Sequence, residues 1–209
     1  MNLNIEDINK SKKGAIIMSN NIENIPTPAI SEIVLKTGQF DEMKDWYSIT
    51  LDEEPFFVRE RPDKPSWTKS QQIAFFKLYG IYPYAQMLGI FGVDNTKNQA
   101  GEDPGLHHFQ LAHGNFDELF ARYDHLKTQG IMPIQKWNHG VMTSFYYEDP
   151  DGNQAEMTCM NFKKEEDFRA YFQTETYKNN ISGIPIDPDD YINRYRAGTP
   201  QEDLIKIPS

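Results

Sequence analysis

Positive charge, cysteine and long apolar runs are all in short supply in this 209-residue chain, and each shortage removes a class of function. Lysine and arginine number 21 against 31 acidic residues, a formal charge of −10 at pH 7. Such a chain offers little to neutralise a row of phosphates, so nucleic acid is not an expected partner. The one cysteine, Cys159, cannot close an internal disulfide. The longest apolar stretches, 14–18 and 87–93, fall far below the ~20 residues that cross a bilayer, so no membrane partner is expected either. The polar, asparagine-rich start lacks the apolar segment of a secretory signal, which makes the cytoplasm the expected address. A phosphate-cradling glycine loop, a G-x-S-x-G elbow and a zinc-type cysteine pair are missing too.

What the chain does have is an internal repeat. At an offset of 76, Ala29 to Tyr47 lies on Gly105 to Tyr123 without a gap, with Leu35/Leu111, Gly38/Gly114, Phe40/Phe116, Asp41/Asp117, Glu42/Glu118 and Tyr47/Tyr123 identical. Each copy opens with a strand-like run and a glycine. Apolar residues at helical spacing follow: Phe40, Met43, Trp46 and Tyr47 in one, Phe116, Leu119, Phe120 and Tyr123 in the other. Three more strands are expected in each copy, at 54–59, 71–78 and 85–93, then at 132–136, 142–148 and 153–160. Asp149-Pro150-Asp151-Gly152 marks a turn between the last two. The expected fold is α+β: two βαβββ modules, about 29–93 and 105–160, forming a curled mixed sheet around a metal site. A polar N-terminal extension (1–28) and a helical C-terminal extension (161–209) flank them, the latter covering a sheet edge or a neighbouring subunit.

Strand parity assigns faces. With Phe109 and Leu111 packed on the helix, His108 and Gln110 face the other way; with Ala155, Met157 and Cys159 on the helix, Gln154, Glu156 and Thr158 do so. Glu32 is the repeat partner of His108 and shares its face. One imidazole and two carboxylates, Glu32, His108 and Glu156, suit a divalent metal with open positions for substrate or O₂. His139 and Tyr146, close by in sequence, are candidates for moving protons. His107 and His113 read as structural, and Cys159 as a small buried hydrophobe. Phe91, Phe145 and Tyr147 are candidates to wall a flat ring.

On Gly105-Leu106-His107-His108-Phe109, the segment from Ser144 to Glu156, and the run Asn180 to Pro188 followed by Tyr195-Arg196-Ala197-Gly198, the chain resembles the vicinal oxygen chelate superfamily. That group contains glyoxalase I, bleomycin-resistance proteins and type I extradiol dioxygenases, and its small single-domain extradiol-like members are the best match. The resemblance implies a metal histidine at His108, a metal carboxylate at Glu156, and at Tyr146 a tyrosine that contacts substrate or oxygen. It departs at Glu32, where extradiol relatives usually carry histidine. The resulting set is harder and more negative, and favours Mn(II) or another ion more than two histidines would. The implied protein is a homodimeric, metal-dependent dioxygenase acting on a small catechol-like or other vicinal-oxygen substrate, with Fe(II) as first choice of metal and Mn(II) as second. The alternatives are a glyoxalase-like isomerase, lyase or epimerase, and a metal-free small-molecule-binding protein.

Overall fold

A computed structural model describes residues 30–60, 70–80, 86–93 and 106–208. The expected polar extension, 1–28, lies outside the described residues, and the two modules and the tail belong to one compact unit, 31–209. The first module runs β1 (Glu32–Thr37), α1 (Phe40–Leu51), β2 (Phe57–Arg59), β3 (Ser70–Lys77) and β4 (Met87–Val93). The second runs β5 (His108–His113), α2 (Phe116–Thr128), β6 (Gln135–Asn138), β7 (Met142–Glu148) and β8 (Gln154–Met160). After it come α3 (Glu165–Tyr171), α4 (Glu175–Asn179), β9 (Ile184–Pro185), α5 (Pro188–Arg196) and α6 (Gln201–Leu204).

The apolar spacing does what it predicts. Phe40, Met43 and Tyr47 of α1, and Phe116, Leu119, Phe120, Tyr123 and Leu126 of α2, are buried. The start of α2 is fixed by Asn115, whose side chain accepts from the Glu118 backbone N–H at 2.9 Å, while Glu118 reaches back to the Gly114 N–H at 2.7 Å.

The strands form two mixed sheets, ordered β1-β4-β3-β2 and β5-β8-β7-β6-β9. In each module the first strand pairs in parallel with the last, so the repeat in sequence is a repeat in topology. The hydrophobic core lies between helices and sheets, and it crosses the module boundary: Phe109 and Ala155 join the cluster of Met43, Tyr47 and Phe76. The Asp149–Gly152 turn ties the modules further. Tyr47 donates to Asp149 Oδ2 at 2.8 Å, and Gln39 Nε2 donates to Asp151 Oδ1 at 2.6 Å. The tail packs Tyr191, Ile192 and Leu204 into the second core and adds β9 to the edge of β6, covering that edge as expected.

Candidate functional site

The two sheets are unlike on the face away from their helices. Register makes His108, Gln110, Tyr146, Glu156 and Gln135 of the second module the counterparts of Glu32, Val34, Phe75, Gly89 and Phe57 in the first. A polar cluster in one module thus corresponds to an apolar, aromatic one in the other. At Gly89 a Cβ would press on the Phe75 ring at 3.1 Å and Val34 at 3.2 Å, so a carboxylate side chain there would have to push the aromatic cluster aside.

Glu156 is the centre of the polar cluster. It sits on β8 between β5 and β7, and its side chain is fully shielded from solvent. Oε2 receives Gln110 Nε2 at 2.8 Å and faces His108 Nε2 at 3.1 Å, whereas Oε1 is buried with no hydrogen-bond partner. A buried carboxylate with an orphaned oxygen needs a partner, and a cation is one that fits. His108 is held from behind, its Nδ1 lying 2.6 Å from His107 Nδ1. When the His108 Nδ1–H donates to His107, the bare Nε2 is left beside the carboxylate, a nitrogen and an oxygen donor aimed at one place.

Tyr146, opposite Glu156 in register, completes this corner. Burial, and then the neighbouring Glu156 carboxylate, push its phenol above the usual range, which favours the protonated, hydrogen-donating form. Its ring meets the His108 ring edge-on at 5.8 Å and the His139 ring at 6.1 Å, and its hydroxyl lies 3.0 Å from His139 Nε2. His139 stacks on Trp137, and its Nδ1 lies 2.7 Å from the Ser182 carbonyl oxygen in the tail.

The structure therefore brings together His108, Glu156, Tyr146 and His139. It does not gather Glu32 with them. Glu32 stands at the start of β1 with its side chain exposed, and among the described residues no group of three His, Cys, Asp or Glu is set to hold a metal. The protein donors in place fit two positions of a divalent cation's shell. Two of the expected ring walls are corrected: Phe145 and Tyr147 are buried in the core on the α2 side, as their alternation with Tyr146 requires. Phe91 lies on the opposite side of its sheet from α1, edge-on to Phe75 at 5.8 Å. Gln110, which parity set on the His108 face, belongs to the site as well, and so do Trp137 and Ser182, which were not expected. Cys159 is inert, its thiol pushed up to about 11, first by burial.

Residues 29–157 match the model of the Glyoxalase/Bleomycin resistance protein/Dioxygenase superfamily. The chain is 30% identical over 174 residues to biphenyl-2,3-diol 1,2-dioxygenase 2 of Rhodococcus globerulus, covering 83% of this chain and 85% of that one. It is 30% identical over 178 residues to biphenyl-2,3-diol 1,2-dioxygenase 3 of the same organism, covering 85% and 87%. Among solved structures, a glyoxylase/bleomycin resistance protein/dioxygenase domain from Frankia sp. EAN1pec superposes with a TM-score of 0.53 at 16% identity, covering 68% of this chain and 98% of that one. That last likeness concerns the fold alone.

Proposed function

Because the chain belongs to the glyoxalase/bleomycin resistance protein/dioxygenase superfamily, we propose that it is a metal-dependent dioxygenase opening the ring of a catechol-like substrate. The observation that carries this reading is the buried Glu156 carboxylate, with one orphaned oxygen, set against His108 and beside the Tyr146–His139 pair. His108 and Glu156 would hold the metal, and Glu32, which stands apart from them on β1, would have to join them from its exposed position as the third protein donor. Fe(II) is the first candidate and Mn(II) the second, given the two carboxylates. When bound, such an ion supplies a chelating centre for two vicinal oxygens and access to O₂ chemistry.

The chain's own residues then have definable tasks. His108 and Glu156 fix where the diol's oxygens sit, and Gln110 locks the carboxylate rotamer through its 2.8 Å bond. A catechol must lose a proton to chelate well. His139, whose Nε2 faces the site through Tyr146, is the residue placed to take it. Tyr146 passes hydrogen between the substrate side and His139 Nε2. Phe57, Phe75 and Phe91, close to one another in the first module, supply an apolar wall for a flat substrate. The reading also carries the expected cytoplasmic address and a homodimer.

The test is O₂ uptake by anaerobically purified, Fe(II)-loaded and Mn(II)-loaded protein given catechol, 3-methylcatechol and 2,3-dihydroxybiphenyl. The expected result is one O₂ consumed per substrate, with a ring-opened product absorbing in the visible. Turnover that proceeds equally well without O₂ would move the protein to the isomerase and lyase branch of the superfamily. Ligand binding with no bound metal and no turnover would make it a binding protein.

A further inference from the structure

The C-terminal tail reaches the His139 imidazole of the candidate site through the Ser182 carbonyl oxygen. We infer that the Ser182–Gly183 strap is a positioning element that holds His139 in one tautomer, with hydrogen on Nδ1 and a bare Nε2 facing Tyr146. This deepens the function proposed above, since it rests on His139 and Tyr146 acting together on protons.

A carbonyl oxygen can only accept a hydrogen bond. His139 Nδ1 lies 2.7 Å from the Ser182 carbonyl, so that nitrogen must carry the hydrogen. In the neutral ring Nε2 is then without hydrogen, and the Tyr146 hydroxyl 3.0 Å away must be the donor to it. A tail atom 43 residues downstream thus decides which way the site hydrogen bond runs. If instead Nε2 carried the hydrogen, it would donate to Tyr146 and leave no base at that place.

The strap is built to stay where it is. β9 continues from it and pairs with β6, Ile184 with Asn138 and Pro185 with Trp137. Gly183 has φ +82°, and a Cβ there would overlap the Asn138 carbonyl oxygen and the His139 Cα, so the strap can approach this closely only because the residue is glycine. The receiving loop is fixed just as tightly. Asn138 and Asn161 are both buried. Asn138 Oδ1 accepts from Gly140 N at 2.8 Å and from Asn161 Nδ2 at 3.0 Å, and Asn138 Nδ2 donates to the Ile205 carbonyl at 2.8 Å. On its other side Gly140 is covered by Tyr171 of α3, where a Cβ would overlap the phenol oxygen. A satisfied buried network of this kind holds one geometry at the cost of flexibility. Trp137, stacked on His139 at 6.1 Å and 14° between planes, confines the ring's rotation.

The test is ¹⁵N NMR of the imidazole nitrogens at neutral pH, in protein labelled at its five histidines, with His139→Ala used for assignment. The wild type is expected to show His139 protonated on Nδ1 alone. Gly183→Ala forces the strap off the loop; the form with hydrogen on Nε2 should then appear, and kcat should fall by about tenfold or more with KM within about threefold. Gly198→Ala is the control, because Gly198 also has a positive φ, +92°, and lies in the tail, but faces open space. It carries the same backbone strain and should leave tautomer and kcat unchanged. A wild-type His139 bearing hydrogen on Nε2 overturns the inference, whether or not Gly183→Ala folds, and so does a folded Gly183→Ala with the wild-type tautomer and kcat. Because the NMR readout needs no turnover, it separates the two claims. The expected tautomers with no O₂ uptake on any diol would sink the function and leave the strap, whereas uptake with an unmoved tautomer would sink the strap alone.

Discussion

Tyr47 of the first module donates its phenolic hydrogen to Asp149 Oδ2 of the second, 2.8 Å away in the buried interior. Asp149 also accepts from the backbone N–H groups of Asp151 and Asn153 and from the Asn153 side chain, yet its carboxyl is raised above the ordinary Asp value, because burial outweighs these bonds. Such a group contributes stability while protonated, fully below the unfolded value near pH 4, and loses it as pH rises through the folded value. Tyr47→Phe leaves the rings packed and removes one bond to the ionised form, at an expected cost of about 1–2 kcal/mol at pH 7. Since the bond matters most to the carboxylate, the loss should shrink as pH falls through the raised folded value. Guanidinium melts of both proteins at pH 7 and pH 4 decide it: an equal or larger loss in acid would contradict this account of the contact.

Glu156→Gln tests the centre of the site. Gln keeps the shape of the side chain and an oxygen able to accept from Gln110, and it removes a charge whose Oε1 has no partner. The metal-free variant should melt at or above the wild-type temperature, because an uncompensated buried charge is gone. Its affinity for Fe(II) or Mn(II) should fall on the order of 100-fold or more. Calorimetric titration and metal analysis after dialysis provide the measurements. A variant that retains metal at wild-type affinity would remove Glu156 from the coordination shell.

Much of this arrangement was legible in the chain because both of its periodicities are simple. The offset of 76 placed His108 and Glu32 at like positions of two modules, and alternation along 153–160 put Glu156 on the face opposite Met157, where it is found. Alternation applied once more, from Tyr146 to its neighbours, would have sent Phe145 and Tyr147 to the core instead of to a substrate wall. What parity could not give was depth. Glu156 is sealed because β5 and β7 flank it, while Glu32 on an edge strand stays exposed, and pattern alone does not separate the two. The Ser182 contact is a backbone carbonyl from a distant segment, which leaves no side-chain signature beyond the glycine beside it.

Glu32→His asks whether the exposed carboxylate joins the metal. The position is open, so the exchange should change stability by less than about 0.5 kcal/mol. If Glu32 is the third donor, histidine there yields a softer, less negative set, and the ratio of Fe(II) to Mn(II) affinity should rise about tenfold or more. Competition between the two ions, read by metal analysis, gives the ratio directly. Affinities unchanged in both Glu32→His and Glu32→Ala would leave His108 and Glu156 as the protein's donors without it.

Tyr146→Phe isolates the proton donor. The ring should stay in place through its edge-on contacts with His108 and His139, so the fold is not at stake. Losing the hydroxyl removes the group that hydrogen-bonds His139 Nε2, and kcat should fall about 10²–10³-fold with KM little altered. Burial and Glu156 hold this phenol far above its ordinary pKa, which fixes the sign of the pH effect. The raised value favours the protonated phenol, so an alkaline fall in kcat is expected to come from another group. The variant should therefore keep the shape of the wild-type pH profile while losing its height. A profile in which the alkaline limb vanishes with the hydroxyl would show that Tyr146 itself ionises there and would overturn its assignment as a donor.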